Sequence, residues 1–145
     1  MAATKEIDWA FFDIGGTLGE RHPTTGNLIA YSSSAGLLQT VRNVLGLRVG
    51  IITTLGPSLT NADAMELLTE AGLAAFVDPI GLISEHDAGA AKPQPAIYQF
   101  AADKVASPVG RCLFVGENLI EVMGALTAGM QALLKPCPPG RDLPS

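Results

Sequence analysis

The sequence predicts an α/β fold: a three-layer α/β sandwich with helices on both faces of a parallel sheet of about five strands. Two observations carry that reading. Short β-like runs alternate with segments of helical spacing along the chain, the pattern of strands joined by crossover helices. In addition, 48% of the 145 residues are hydrophobic and 16% charged, with a mean hydropathy of +0.31. A chain of this size and composition can bury one sizeable core. The expectation is one domain over residues 1–145, its core over about 7–135 and a proline-rich tail over 136–145.

The elements follow in order. Ile7 to Ile14 reads as the first strand, and "WAFFDI" is too apolar for a sheet edge. Gly19 to Leu28 is polar and turn-rich, a loop or small hairpin. Ser33 or Ser34 can cap a helix with Leu37, Leu38, Val41, Val44 and Leu45 at helical spacing. Arg48 to Thr53, "RVGIIT", is a short buried strand. Thr60 and Asp63 form a capping pattern for a helix through Ala71, stopped by Gly72. Ala74 to Ile80, "AAFVDPI", reads as the third strand. Pro93 or Pro95 opens a helix to about Val105, since proline suits a first helical turn. Arg111 to Gly116 is the fourth strand, a helix ends near Gly129, and Gln131 to Lys135 is the fifth strand.

Composition also excludes partners. A net charge of −5 without a Lys/Arg cluster argues against nucleic acid. No run of 18 apolar residues exists to span a membrane, and the N-terminus lacks a signal-peptide pattern. Cys112 in an apolar run and Cys137 near the end form no disulfide framework, which points to a reducing cytoplasm.

Four polar positions close four separate segments. Asp13 ends the first strand, Thr53 the second, and Gly116-Glu117 the fourth, while Lys92 precedes a helix. In an open parallel sheet, ligands bind beyond the carboxyl ends of the strands near the switch in strand order. A carboxylate nucleophile, a hydroxyl, a cation and acids suited to a hard metal would converge there.

These motifs resemble those of the haloacid dehalogenase (HAD) superfamily. "FFDIGGTL" is similar to its first motif, "VGIITT" to its second, "AKPQPAIYQFA" to its third and "CLFVGENLIEVMGALTAGM" to its fourth, in register from Ile7 to Leu134. The resemblance implies a Rossmann-like sheet and phosphoryl transfer through an aspartyl-phosphate. It implies Asp13 as nucleophile, with Thr53 and Lys92 as the other catalytic positions. Phosphate would be held by Thr53, Thr54, Lys92 and the backbone at Gly15 and Gly16. Mg²⁺ would be held by Asp13, the Gly15 carbonyl, Glu117 and Glu121.

Two departures stand out. Gly15 replaces the acid that protonates the leaving group and later activates water, a contribution of about 10²–10⁴-fold. Glu117 and Glu121 replace aspartates, with spacing one residue shorter, and the extra methylene moves each carboxylate. Each position also has a plainer reading. Asp13 can cap a loop, Lys92 can be solvated, Thr53 can be an ordinary strand end, and Glu117 and Glu121 can be acids favoured in a helix first turn. Thr17 orders the loop, Asp87 is a lesser accessory acid, His22 and His86 are loop residues, and Trp9, Phe11 and Phe12 are core.

The intervals from Asp13 to Thr53 (40 residues) and Thr53 to Lys92 (39 residues) are filled by assigned elements, leaving no room for a cap domain. An open site suits macromolecular or bulky phosphorylated substrates, or shielding by homo-oligomers. Two readings result: a HAD-like hydrolase acting on phosphate esters, and a catalytically silent HAD-like domain used for binding.

Overall fold

The computed structural model describes residues 6–136. The central strand β1, Trp9–Phe12, turns Trp9 and Phe11 to one face and Ala10 and Phe12 to the other, all four buried. A strand buried on both faces must lie inside a sheet, and it does. An antiparallel hairpin of β2 (Gly19–Arg21) and β3 (Leu28–Ala30) follows, then α1 (Ser34–Asn43) and β4 (Arg48–Thr53). Next come α2 (Asn61–Glu70), β5 (Leu82–Ser84), the single turn α3 (Glu85–Ala88) and α4 (Pro95–Lys104). The chain then forms β6 (Cys112–Gly116), α5 (Leu119–Thr127) and β7 (Gln131–Leu134).

The sheet order is β5-β4-β1-β6-β7, with every pair parallel. One apolar layer joins Phe11, Ile52, Ile97, Tyr98, Phe114 and Ala125 under α4 and α5. The other joins Phe12, Leu38, Val41, Ile51 and Leu68 under α1 and α2. This is the predicted three-layer architecture with the first strand central. Among the described residues there is no separate cap domain; the span between β1 and β4 holds only the hairpin and α1.

Local chemistry explains most boundaries. Thr60 and Asp63 close a reciprocal capping box at α2: each side chain accepts a hydrogen bond from the other's backbone N–H, at 3.2 Å and 2.8 Å. Pro95 occupies the first turn of α4. At α1, Ser33 holds the cap position without a capping side-chain bond, and the buried Ser34 hydroxyl donates to the Leu18 carbonyl at 2.7 Å. That bond ties α1 to the loop after β1.

One predicted strand is corrected. Ala74 to Ile80 is not extended; Ala74–Phe76 and Pro79–Gly81 form 3-10 turns, and the third strand of the sheet is Leu82–Ser84. Two alanines have low strand propensity, and Pro79 cannot donate to a ladder. Asp78 caps the second turn by accepting from the Ile80 N–H at 3.3 Å. Val44 and Leu45 also differ from expectation: α1 ends before them and both are exposed. Cys112 is a buried free thiol whose pKa burial pushes up. Cys137 and the tail beyond Pro136 lie outside the described residues.

Candidate active site

The carboxyl ends of β1, β4 and β6 lie side by side because those strands are adjacent. Asp13 follows β1, and its N–H donates to the Val115 carbonyl of β6 at 3.0 Å, which extends the pairing into the loop. Thr53 closes β4 and is buried. Gly116 closes β6, with Glu117 next. Chain order places β4 and β5 on one side of β1 and β6 and β7 on the other, so this edge is the topological switch point.

Lys92 reaches the same place from the loop before α4. Its ammonium lies 2.6 Å from Asp13 Oδ1 and 2.7 Å from Glu121 Oε1, with a side chain only 2% exposed. It also sits 5.4 Å from the Phe114 ring centroid. A lysine buried to this extent is not a solvated surface residue. Glu121 meets Lys92 as an ion pair without hydrogen-bond angles, so Oε1 is buried yet has no hydrogen-bond partner among the described residues. Gly124 makes this approach possible, because a Cβ there would lie 2.2 Å from the Pro93 carbonyl oxygen. Only a glycine lets α5 lie so close to the turn that carries Lys92.

The glycine pair has two distinct roles. Gly16 has φ +78°, a left-handed conformation that favours glycine, and a Cβ there would lie 2.6 Å from Glu117 Cγ. Glu117 therefore lies over the loop that follows Asp13. Gly15 is exposed, and a Cβ built on it meets nothing within 4 Å. Thr17 orders the loop as expected: its hydroxyl accepts the Glu117 N–H at 3.1 Å.

Sequence reasoning missed two residues. Glu85, the first residue of α3, accepts from the Leu55 N–H with both oxygens (2.8 and 3.0 Å) and from the Gly56 N–H (2.8 Å). It thereby clamps the loop leaving Thr53. Burial pushes its pKa upward, but those two amides prevail and hold it below the usual carboxylate value. The Tyr98 hydroxyl donates to the Glu121 carbonyl at 2.6 Å, and its ring packs edge-on against Phe114. Burial, aided by the charges of Glu121 and Asp13, pushes that phenol well above its ordinary value. No local pattern marks either residue, because each partner is distant in sequence.

Other candidates are occupied elsewhere. Asp87 caps α3, accepting from the Ser84 N–H at 3.0 Å and from the Asn61 amide at 2.6 Å. His22 Nδ1 accepts from Thr24 and Thr25 N–H within its turn, and His86 Nε2 lies 2.8 Å from the Leu59 carbonyl. Thr54 is exposed beside Thr53.

Among the described residues no three or more His, Cys, Asp or Glu side chains form a metal cage. Mg²⁺ does not need one: it binds through one or two carboxylates and keeps several waters. Glu117 lies against the loop that follows Asp13, and these two carboxylates with that loop's backbone carbonyls are hard oxygen donors of the type such an ion takes.

With this geometry in place, comparison with known proteins gives the class. A family model for haloacid dehalogenase-like hydrolases matches residues 25–129. The chain belongs to that family. A protein named as a phosphatase in Mycobacterium tuberculosis is 37% identical over 89 residues, covering 61% of this chain and 39% of that protein. The chain thus spans about two-fifths of that curated relative. A HAD phosphatase from Thermococcus onnurineus superposes with TM-score 0.61 at 29% identity, over 74% of this chain and 46% of the other. A HAD family hydrolase from Deinococcus radiodurans, solved with phosphate and sodium, gives TM-score 0.73 over 98% of this chain and 86% of its own, at 17% identity. That last likeness shows the fold.

Proposed function

We propose that the protein is a phosphohydrolase that uses Asp13 as nucleophile on phosphate esters. The observation that carries this reading is the buried Asp13–Lys92 pair at the switch point of the sheet. A phosphate dianion approaching a carboxylate is repelled, and a desolvated lysine beside that carboxylate offsets the repulsion. Thr53, Thr54 and the Gly15-Gly16 backbone would orient the phosphoryl oxygens, a positioning effect of several kcal/mol at best. Asp13, the Gly15 carbonyl and Glu117 would hold Mg²⁺, with Glu121 supporting them through Lys92. Bound there, the ion would supply positive charge near the phosphoryl oxygens.

Gly15 favours a second reading, a silent binding domain, because no side chain at that position can move a proton. We favour the hydrolase because Lys92, buried against two carboxylates, is costly to maintain for fold alone. The substrate would be a phosphorylated molecule, not nucleic acid, given the net charge of −5. No described helix is long and apolar enough to cross a membrane. The test is a turnover screen over phosphate esters, acyl phosphates and haloacids, with and without Mg²⁺. Phosphate release that vanishes in Asp13→Asn is expected; equal release by wild type and variant would contradict the assignment.

A further inference from the structure

Beside the phosphate site lies a cavity of about 180 Å³ walled by Ile14, Leu28, Leu55, Leu59 and Leu67. Gly15 and Thr53 line it as well, so it begins where the proposed phosphate site ends. Arg21, from β2, stands at its edge with Nε donating to the Gly26 carbonyl at 2.8 Å. Nothing in the mechanism so far uses this space.

Building on the phosphohydrolase reading, we infer that this cavity is a leaving-group subsite for an aromatic ring, making the preferred substrates aryl phosphates. Two independent features agree. An apolar cavity of about 150 Å³ is enough to hold benzene, so this one accommodates a phenyl ring with a small substituent. Gly15 removes the group that would protonate a departing alkoxide. A phenolate needs no such help, since phenols have a pKa of about 10, as in tyrosine, far below the roughly 16 of water-like hydroxyls.

The step balances without a general acid. An Asp13 carboxylate oxygen bonds to phosphorus as the ester P–O bond breaks, and phenolate leaves with the electron pair into the cavity. Water then cleaves the aspartyl-phosphate to give inorganic phosphate and regenerate Asp13, its released proton ending on the phenolate. Gly15 lines the cavity, and even a Cβ there would meet nothing within 4 Å, so this side of the subsite is open.

The test compares phenylphosphonate with methylphosphonate, neither of which can be hydrolysed, by calorimetry with Mg²⁺ present. Wild type should bind the phenyl compound at least tenfold more tightly. Leu59→Trp and Leu67→Phe, which fill the cavity from the loop and from α2, should each bring the ratio within about twofold. Thermal melts establish that each variant is folded, and if one is not, the wild-type ratio and the other variant decide. A wild-type ratio near one, with both compounds bound, would overturn the subsite while leaving the phosphohydrolase reading intact. Binding of neither would remove the anion site and the subsite together. Turnover of phenyl phosphate and of a phosphotyrosine peptide then separates the sources: ready turnover of the peptide supports a protein substrate, and its failure alone supports a small aryl phosphate.

Discussion

Gly15 has space around it, and that fact separates a lost function from an altered one. Its φ lies outside the left-handed region and a Cβ there meets nothing within 4 Å. Gly15→Asp should therefore fold as the wild type does. Restoring the acid should raise turnover of alkyl phosphates by up to the ~10²–10⁴ expected of general acid–base catalysis. Steady-state kinetics on an alkyl phosphate checks this. A folded Gly15→Asp protein that remains inactive on every phosphate would favour the silent-domain reading. Asp13, Thr53 and Lys92 were legible in the sequence because each sits at a strand or helix boundary beside a recognisable motif. Glu121 was legible as a candidate, but its pairing with Lys92 was not. Its Oε1 is 2.7 Å from Lys92 Nζ only because Gly124 lets α5 pack against Pro93, a contact no local pattern encodes.

Among the α-helices, α3 is the shortest, and it holds the loop after β4. Glu85 carries that role through the amides of Leu55 and Gly56. Because its folded pKa is depressed, its stabilisation is present above the unfolded value, about 4.3, and is lost as pH falls through the lower folded value. Glu85→Gln should therefore lower Tm near neutral pH by a few degrees, corresponding to about 1 kcal/mol for this partly exposed carboxylate. The difference should shrink as melts are taken below about pH 4. A Tm difference that stays constant down to pH 3 would contradict this. Elements with chemical punctuation were readable in advance: the Thr60–Asp63 capping box, Pro95 at the start of α4, and the Arg48–Thr53 strand, whose ends match the prediction. Ala74 to Ile80 was misread because an apolar run with alanines can be extended or turned. Arg48, which pairs with Asp78, and the Asp78 cap hold it in turns, and both partners were visible only after folding.

At the scale of the whole molecule, one surface is too apolar to be ordinary. The outer face of α5 exposes Leu119, Ile120, Met123 and Leu126 by 55–66%. Four such side chains within little more than two turns of one helix make a contiguous apolar stripe of the kind that marks an interaction surface. We propose that a second copy covers this face. None of the four is charged, so two acidic chains can meet there without apposing like charges. Sedimentation equilibrium should show a concentration-dependent dimer that Met123→Lys weakens. A strictly monomeric wild type across the micromolar range would count against it.

On the proposed phosphohydrolase reading, Asp13 accepts a phosphoryl group from the substrate. Intact-protein mass spectrometry after incubation with acetyl phosphate and Mg²⁺ tests it most directly. Acetyl phosphate has a good leaving group, so the absence of an acid at Gly15 does not block transfer, while slow breakdown lets the adduct accumulate. One phosphoryl adduct is expected, located at Asp13, labile to hydroxylamine and absent from Asp13→Asn. A folded, Mg²⁺-binding wild-type protein that gains no adduct, or gains it equally in Asp13→Asn, would contradict it.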